Sequence, residues 1–293
     1  MQQELDNKIK YSIITPTYSR PELLEKTLCS VLGQSHSDWE IIIINDSPYY
    51  DYSIFENKYI INSKAFSSNF QNNPEQIIDV NLTKIKYFKN EKNLGVNFSR
   101  NFALDYIEKG NLANTSITKS STVKTNLEYI IFLDDDDWLA PDALSNITDI
   151  INRENKLEWL VTNRSHNNKK LVQIRKIKKG NIFNYFYNCL IFKNFKGDVT
   201  HAIKKDIALK SRFCQKVKQG EEWYYFINLP KNFLYVDINT TETNGYSDSG
   251  LTSDLKDKYI KNTKVLFREK KNLKVFIILI IRILNIIVKT IFK

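Results

Sequence analysis

Short apolar runs alternate along the chain with stretches whose apolar residues recur at helical spacing. The runs are rich in β-branched and aromatic residues and predict buried strands at residues 10–14, 39–44, 85–88, 129–133 and 159–162. Helices are predicted over residues 22–32, over a segment ending at 107, and from about 141 to 152. This alternation predicts an α/β protein with a mostly parallel sheet flanked by helices, whose first strand–helix–strand unit is right-handed.

Turn and capping residues set two predicted boundaries. Ser19 is a candidate N-cap of the first helix, since Pro21 takes an early helical position and Glu22 stands three residues after the serine. The polar segment 110–126, rich in Ser, Thr and Asn, is predicted to be a loop insertion.

The last twenty residues, 274–293, predict a basic amphipathic helix. The longest uncharged run is 275–281, far short of the roughly 20 residues that cross a bilayer. Most polar positions share one stripe, on which Ile278 is the one apolar residue: Lys271, Lys274, Arg282, Asn285, Lys289 and Lys293. The pattern is typical of a helix lying in the plane of a membrane surface. Two alternatives are packing against the rest of the protein and dimer formation.

Composition narrows the class of protein. A length of 293 residues with 42% hydrophobic content fits one large domain, or one domain with a small appendage. The net charge of +10 is concentrated in residues 169–179 and beyond 261, and no nucleic-acid-binding motif accompanies it. We therefore expect no nucleic-acid partner; the 169–179 run is either a solvated face or a membrane-facing patch.

The cysteines and the N-terminus bear on the compartment. The three cysteines, Cys29, Cys189 and Cys214, lie far apart, which argues against a disulfide framework or a zinc site. The first ten residues lack the apolar core of a signal peptide. A cytoplasmic location is expected.

Four consecutive aspartates, residues 134–137, follow the predicted strand 129–133. Carboxylates at one strand end repel each other unless a cation sits among them, and oxygen ligands suit Mg2+ or Mn2+. The carboxyl ends of strands in open α/β sheets are where ligands bind. The run predicts a metal site that holds a phosphate-bearing substrate. The alternative is a solvated loop, with Asp137 or Asp142 capping the helix near Pro141.

Four segments in this order resemble the family 2 glycosyltransferases, which adopt the Rossmann-like GT-A fold. They are residues 12–47, residues 90–101 (NEKNLGVNFSRN), residues 129–144 (YIIFLDDDDWLAPDAL) and residues 219–226 (QGEEWYYF). The resemblance implies transfer of a sugar from a nucleotide-sugar, with a UDP-sugar expected, to an acceptor hydroxyl with inversion at the anomeric carbon.

The resemblance also implies a division of the chain. Residues 1–260 would form the GT-A domain, with a nucleotide-binding part over about 10–140 and an acceptor part over about 141–260. Residues 261–293 would form the membrane-associating tail.

In the resemblance, the turn after the first strand binds the nucleotide. Pro16, Thr17, Tyr18 and Arg20 belong to this turn, and the Tyr18 ring would stack on the nucleobase, a contact worth about 1–3 kcal/mol. The alternative is a tyrosine that only packs in the turn.

Two further positions are assigned to the nucleotide. Asp46 resembles the carboxylate that accepts the uracil N3–H, although Asn45 stands where the family has a first Asp; a turn-forming Asp is the alternative. Arg100 would lie near the phosphates, whose oxygens suit its planar fork, and Gly95 would allow the turn before its helix. A surface salt bridge is the alternative for Arg100.

The aspartate run resembles the family pattern with one extra carboxylate. Asp136 is expected to contact the metal directly, with Asp134 as a second ligand. Asp134 or Asp135 would contact the ribose or a metal-bound water, and Asp137 would cap the next helix. The Mn2+ or Mg2+ ion would neutralise charge on the departing UDP.

An inverting transfer needs a base for the acceptor hydroxyl. Glu222 is the expected base, in place of the family's usual Asp, and Glu221 is the alternative; acids that only stabilise a helix start are a third reading. His201 would line the acceptor side or simply pack in the core.

The expected acceptor is a glycan or lipid-linked glycan of lipopolysaccharide, O-antigen or capsule, met at the inner face of a bacterial cytoplasmic membrane. A sugar nucleotidyltransferase is an alternative, but the turn TPTYSRP lacks the glycines of a phosphate loop. A non-catalytic, basic membrane-binding protein is another, and it would have no nucleotide affinity.

Overall fold

The computed structural model describes residues 8–61, 77–79, 84–115, 127–154, 157–174, 182–217, 220–244 and 256–291. The strands are β1 Ile9–Thr17, β2 Trp39–Asn45, β3 Ile77–Asp79, β4 Ile85–Lys89, β5 Leu127–Phe132, β6 Asp137–Leu139, β7 Trp159–His166, β8 Lys169–Lys170, β9 Gln173–Ile174, β10 Ile182–Phe183, β11 Phe195–Lys196, β12 Val199–Lys204 and β13 Phe233–Thr243. The helices are α1 Pro21–Leu32, α2 Ser53–Glu56, α3 Val96–Thr115, α4 Ala143–Arg153, α5 Lys205–Ala208, α6 Trp223–Ile227, α7 Lys256–Lys270 and α8 Leu273–Ile291, with π-helical segments at Asn57–Ile61 and Tyr185–Ile191.

One large sheet organises the fold. Its strand order is β10–β13–β7–β12–β5–β1–β2–β4–β3, with β6 paired to β13 and β8 paired to β7. Strands β5, β1, β2 and β4 are mutually parallel, which confirms the predicted parallel sheet. The antiparallel strand β12 separates β5 from β7, so the second half of the sheet is mixed.

The sheet is buried on both faces. In β2, Ile41 and Ile43 join a core cluster with residues of α1 and α4, whereas Ile42 and Ile44 join a cluster with residues of α3. Side chains alternate across a strand, so a strand covered on both sides reads as a continuous apolar run. Because β1, β2 and β5 are parallel, their carboxyl ends lie at the same edge of the sheet, where polar residues follow them.

The start of α1 differs from the prediction that Ser19 is its N-cap. Arg20 occupies the N-cap position without a side-chain capping bond, and Pro21 is the first helical residue. Ser19 has a φ of 57°, and its backbone N–H donates to Ser47 Oγ at 2.6 Å. The serine therefore joins the turn after β1 to the turn after β2 instead of capping the helix.

Two other local predictions were wrong. Helix α3 continues to Thr115, so the first part of the segment 110–126 is helical; the rest up to 126 lies outside the described residues. Asp137 does not cap α4, because it lies in β6 and is buried. Asp142 occupies that N-cap position with a φ of 55° and makes no side-chain capping bond.

Helix α8 packs against the protein through part of its apolar surface. Val275 and Ile278 are buried in a cluster with Trp223, Tyr224 and Ile227 of α6. Packing of the tail on the rest of the chain, one of the alternatives from the sequence, is thus observed for this face.

The polar stripe of α8 turns partly inward. Arg282 forms an ion pair with Glu221, and Lys274 Nζ donates to the backbone oxygen of Ile227 at 2.9 Å. A set of apolar side chains stays exposed on another side of the helix, namely Leu273, Phe276, Ile280, Ile283 and Leu284. Among the described helices, none has the length and apolar character needed to cross a membrane.

Candidate active site

A cavity of about 750 Å3 lies beside the end of β5, where the aspartate run begins. Its wall includes residues to which the sequence analysis gave a possible role, namely Arg100, Asp134, Asp136, Asp137, His201, Glu221 and Glu222. The fold brings together side chains up to 122 positions apart in sequence. The residues assigned to the nucleotide in the turn after β1, and Asp46, are not among those that line this cavity.

The turn after β1 is tied to the aspartate run. Pro16 is buried at the end of β1, and the buried Thr17 hydroxyl donates to Asp135 Oδ2 at 2.8 Å. The Tyr18 backbone N–H approaches the same oxygen at 3.3 Å, while its ring is 50% exposed. The ring remains accessible to a base, as the nucleotide prediction requires. Arg20 bridges Asp135 and Asp136 at 2.8 and 2.7 Å.

These bonds give Asp135 a structural role. Its side chain is 1% exposed and is bound by Thr17, Tyr18 and Arg20. A contact with a ribose, as the sequence suggested, would require this carboxylate to leave those partners. Its visible effect is to hold the turn after β1 against the end of β5.

Asp46 fastens the loop that leads into α3. Its carboxylate accepts hydrogen bonds from Asn90 Nδ2, the Leu94 N–H and the Gly95 N–H at 2.6–2.9 Å, and the residue is 4% exposed. Gly95 has a φ of 90°, a conformation that glycine adopts without steric cost. The turn-forming alternative therefore describes its contacts. A carboxylate has about four acceptor positions, so acceptance from uracil stays a prediction.

The four aspartates fall into two pairs of different exposure. Asp135 and Asp137 are each 1% exposed, whereas the side chains of Asp134 and Asp136 are 35% and 31% exposed. Asp134, Asp136 and Asp137 line the cavity, and Asp135 does not. Asp137 pairs with Arg164 of β7 at 2.9 Å. The run turns the chain from β5 into β6: Asp135 and Asp136 lie in a turn that is closed by the hydrogen bond from the Asp137 N–H to the Asp134 backbone oxygen at 3.1 Å.

Burial and arginines set the protonation of the run. Burial raises the pKa of Asp137 to about 7, although Arg164 acts in the opposite direction. Burial also raises the pKa of Asp135 to about 7 against the effect of Arg20. Burial opposes the charge of Asp134 as well, but Arg100 and Arg164 hold the pKa of this carboxyl below its usual value. Asp134 is therefore a charged group on the cavity wall at neutral pH.

The exposed pair fits a hard divalent cation that arrives with a phosphate ligand. Arg100 contacts Oδ1 of Asp134, and Arg20 contacts Oδ2 of Asp136, one oxygen of each carboxylate. Within the described ranges, no three or more His, Cys, Asp and Glu side chains form a metal-binding group. Mg2+ is commonly held by one or two carboxylates together with substrate phosphates, so two aspartates suffice for such an ion.

Arg100 connects the aspartate run to the start of α6. Its side chain is 6% exposed, with one terminal nitrogen 2.7 Å from Asp134 Oδ1 and the other 3.2 Å from Glu222 Oε1. Arg100 is therefore not part of a surface salt bridge, because its own side chain is buried while it contacts two carboxylates on the cavity wall. Its Nε has no hydrogen-bond partner among the described atoms. Contact of Arg100 with a phosphate stays a prediction.

Glu221 and Glu222 are adjacent but differ in environment. The Glu222 side chain is 43% exposed, and the residue occupies the N-cap position of α6 at the cavity wall without a side-chain capping bond. The Glu221 side chain is 2% exposed and is bound by Arg282. Of the two carboxylates, only that of Glu222 is exposed enough to meet an incoming hydroxyl, which favours Glu222 over Glu221 as the base.

His201 lines the cavity as a packed, neutral ring. Its Nδ1 accepts a hydrogen bond from Trp159 Nε1 at 3.1 Å, and its ring lies 4.1 Å from that of Phe226. Burial, with a contribution from Arg164, lowers the pKa of His201 to about 3. The ring is thus uncharged at neutral pH and shows the packed role that was the alternative to an acceptor-side contact.

Two arginines of the cavity wall were not assigned to the site from the sequence. Arg164 lies in β7 and Arg282 in α8, and both pair with acids of the site. Arg282 carried a signal in the sequence, because an arginine within an otherwise apolar stretch of helix needs a partner if it is buried. Arg164 carried none, since its neighbours in β7 are polar. The sequence had instead suggested that Arg282 belongs to the polar stripe of a helix lying on a membrane surface.

Comparison with known proteins gives a consistent result. Residues 12–213 match the model of the family described as "Glycosyl transferase family 2". A glucosyltransferase of Campylobacter jejuni, named GalNAc(5)-diNAcBac-PP-undecaprenol beta-1,3-glucosyltransferase, is 25% identical over 236 residues, covering 76% of this chain and 60% of the relative. Poly(ribitol-phosphate) beta-N-acetylglucosaminyltransferase TarP of Staphylococcus aureus is 23% identical over 263 residues, covering 81% and 68%. The chain thus spans less than two thirds of the Campylobacter relative.

Solved structures show the same fold. S. aureus TarS has a TM-score of 0.56 at 14% identity, covering 89% of this chain and 39% of TarS. A TarS fragment, residues 1–349, in complex with UDP-GlcNAc also has a TM-score of 0.56 at 13% identity, covering 89% and 66%. The arrangement of strands and helices is therefore that of the GT-A fold.

Proposed function

The chain belongs to glycosyl transferase family 2, and from that premise we propose that it moves a sugar from a nucleotide-sugar, a UDP-sugar, to a hydroxyl of a glycan or lipid-linked glycan in bacterial surface polysaccharide synthesis. Relatives named for transfer of glucose to an undecaprenol-linked glycan and of N-acetylglucosamine to poly(ribitol-phosphate) support this class of reaction. The neighbour bound to UDP-GlcNAc supports the donor.

The observation that carries the proposal is the bridge from Asp134 to Glu222 through the buried guanidinium of Arg100. The Arg100 guanidinium binds both Asp134, which is assigned to the donor, and Glu222, which is assigned to the acceptor. Such a link fixes the separation of the two groups, and fixed geometry is a large part of the rate enhancement in group transfer.

The proposed transfer assigns each step to this chain's residues. The Tyr18 ring would stack on the nucleobase, leaving the sugar directed into the cavity. Glu222 takes the proton of the acceptor hydroxyl while the hydroxyl oxygen forms its bond to the anomeric carbon. The bond from that carbon to the diphosphate breaks on the opposite side, and the nucleoside diphosphate leaves with the electron pair, which inverts the centre.

Asp136 and Asp134 would hold the cation. When bound there, Mn2+ or Mg2+ supplies positive charge to the diphosphate. Arg20, through its bridge to Asp135 and Asp136, keeps the Asp136 carboxylate in place before the donor arrives.

Calorimetric titration of UDP into the purified protein, with and without Mn2+, tests the proposal. We expect saturable heat with Mn2+ and much weaker binding without it, because the diphosphate enters a wall rich in carboxylates. Turnover of UDP-sugars by the same preparation would complete the assignment. Absence of heat from UDP in both conditions, repeated with GDP and CMP, would contradict it and favour the non-catalytic alternative.

We also propose that the exposed apolar side of α8 contacts the inner surface of the membrane where the lipid-linked acceptor resides. Leu273 and Leu284 are 71% and 53% exposed, and Phe276 and Ile280 are 41% and 40% exposed. These residues follow a helical stripe, and the chain's net charge of +10 favours anionic lipids. The occupant proposed for this stripe is a lipid surface.

Sedimentation with vesicles that contain anionic lipid tests this contact. The triple variant Phe276→Ser, Ile280→Ser and Leu284→Ser should stay in the supernatant, while wild type and the control Ile54→Ser sediment. Ile54 is 79% exposed on α2 and serves as a matched apolar surface position. Equal sedimentation of the triple variant would refute the contact. Loss of a dimer instead would assign the stripe to self-association.

A further inference from the structure

Helix α8 contributes a charged side chain to the wall of the cavity. Arg282 has 23% of its side chain exposed and grips Glu221 with both arms of its fork, NH1 to Oε1 at 3.0 Å and NH2 to Oε2 at 3.1 Å. The guanidinium also lies over the Trp223 ring, 5.3 Å from its centroid. Bidentate pairing of this kind fixes orientation as well as charge.

The partner of Arg282 is held in an uncommon conformation. Glu221 has a φ of 63°, in the left-handed region that residues other than glycine seldom occupy. Its carboxylate also accepts the Trp223 Nε1–H. Such a conformation persists where the surroundings enforce it, and it gathers at functional sites. Here the surroundings are α8 and the first residue of α6.

The next residue is the proposed base. Glu222 occupies the N-cap position of α6, and its carboxylate pairs with Arg100 at the cavity wall. Helix α6 has five residues and cannot orient its own first turn strongly, since short helices depend on tertiary contacts. Two arginines, Arg100 of α3 and Arg282 of α8, therefore anchor two consecutive glutamates.

We propose that Arg282 is a positioning residue for sugar transfer: by fixing Glu221 in its left-handed conformation, it orients the start of α6 and so directs the Glu222 carboxylate into the cavity. This inference rests on the proposed function, because it takes Glu222 as the base. It gives the C-terminal helix a part in the reaction geometry, besides its packing and its proposed contact with lipid.

The test compares steady-state kinetics of three single variants. Arg282→Met removes the fork but keeps an apolar chain, and Arg282→Lys keeps the charge without the fork. Arg268→Met is the matched control, because Arg268 is exposed on the neighbouring helix α7. We expect Arg282→Met to lower kcat about a hundredfold, since misplacement by about 1 Å costs that much. The lysine variant should lose about tenfold, because it lacks the planar fork.

The donor KM separates positioning from a general loss of structure. Glu222 lies on the acceptor side, so the donor KM of the Arg282 variants should stay within about twofold of wild type. The fraction of folded enzyme is counted by the stoichiometry of UDP binding. A purely structural role would lower this fraction and leave kcat per binding site unchanged.

A double variant guards against a failure to fold. Arg282→Met alone leaves Glu221 buried without its cation, which destabilises the protein. Arg282→Met with Glu221→Gln removes both charges, so its melting temperature should return toward wild type while kcat stays low. Recovery of the wild-type kcat in this double variant would overturn the inference.

The outcomes also separate this inference from the proposed function. If wild type transfers sugar and Arg282→Met matches Arg268→Met in kcat, the positioning role is wrong and the proposed function stands. If wild type binds no nucleotide and transfers no sugar, the proposed function fails and the inference fails with it.

Discussion

Glu222→Gln is expected to lower kcat for sugar transfer by about a thousandfold, within the range of 10²–10⁴ attributed to general bases. The amide cannot take the acceptor proton, but its oxygen can still accept from Arg100, which lies 3.2 Å from the carboxylate in wild type. Because the side chain is 43% exposed, little stability depends on it. Donor affinity, measured by titration of UDP with Mn2+, should therefore be nearly unchanged.

Two matched variants sharpen this result. Glu222→Asp keeps a carboxylate one methylene shorter and should retain part of the activity, which a role limited to helix capping would not explain. Glu154→Gln changes an exposed glutamate at the end of α4 and should behave as wild type. A Glu222→Gln variant with wild-type kcat, or one whose UDP affinity collapses, would show that the base lies elsewhere.

Asp136→Asn is expected to remove the gain in UDP affinity produced by Mn2+ and to lower kcat/KM by about a thousandfold. The amide can still accept the bond from Arg20, which is 2.7 Å from Asp136 Oδ2, so the turn after β1 should keep its place. What is lost is a negative oxygen for the cation, and metal stabilisation of a departing diphosphate is worth several kcal/mol. Calorimetry and initial rates over a Mn2+ series measure both effects.

The control for this change is Asp51→Asn. Asp51 is an exposed carboxylate whose Oδ1 accepts the Ser53 N–H, a bond that an amide oxygen can also accept. It should leave both the affinity and the rate unchanged. Normal Mn2+ dependence in Asp136→Asn would instead move the metal role to Asp134 or exclude a metal from these residues.

The sequence was most informative where chemistry follows a strand. The runs ending at Ile44 and Leu133 are apolar because both faces of the sheet are covered, and their polar successors therefore had to gather at one edge. The GEEW segment was recognisable as a helix start, and the structure places Glu222 there. Local pattern and topology agree in these regions, so the fold could be predicted, and so could the gathering of Asp134, Asp136 and Glu222 at one cavity.

Prediction failed where a side chain's partner lies far away in the sequence. Periodicity showed that α8 has a polar stripe but not what faces it, and Arg282 turned toward Glu221, 61 positions earlier. Asp137 looked like a cap, but its partner Arg164 lies on β7. Ser19 matched a capping box, yet its backbone N–H donates to the Ser47 hydroxyl in the turn after β2, and the serine does not cap α1. Each miss is a tertiary contact outweighing a local preference.

The pairing of acids with arginines bears on the charge of the site in the absence of substrate. Six carboxylates, Asp134 to Asp137 with Glu221 and Glu222, are each bound by one of four arginines: Arg20, Arg100, Arg164 and Arg282. Each of these acids is thus paired with a cationic side chain of the same chain. If the proposed cation arrives with the diphosphate, its identity is set by which divalent ion the cell supplies, since such selectivity follows availability as much as affinity.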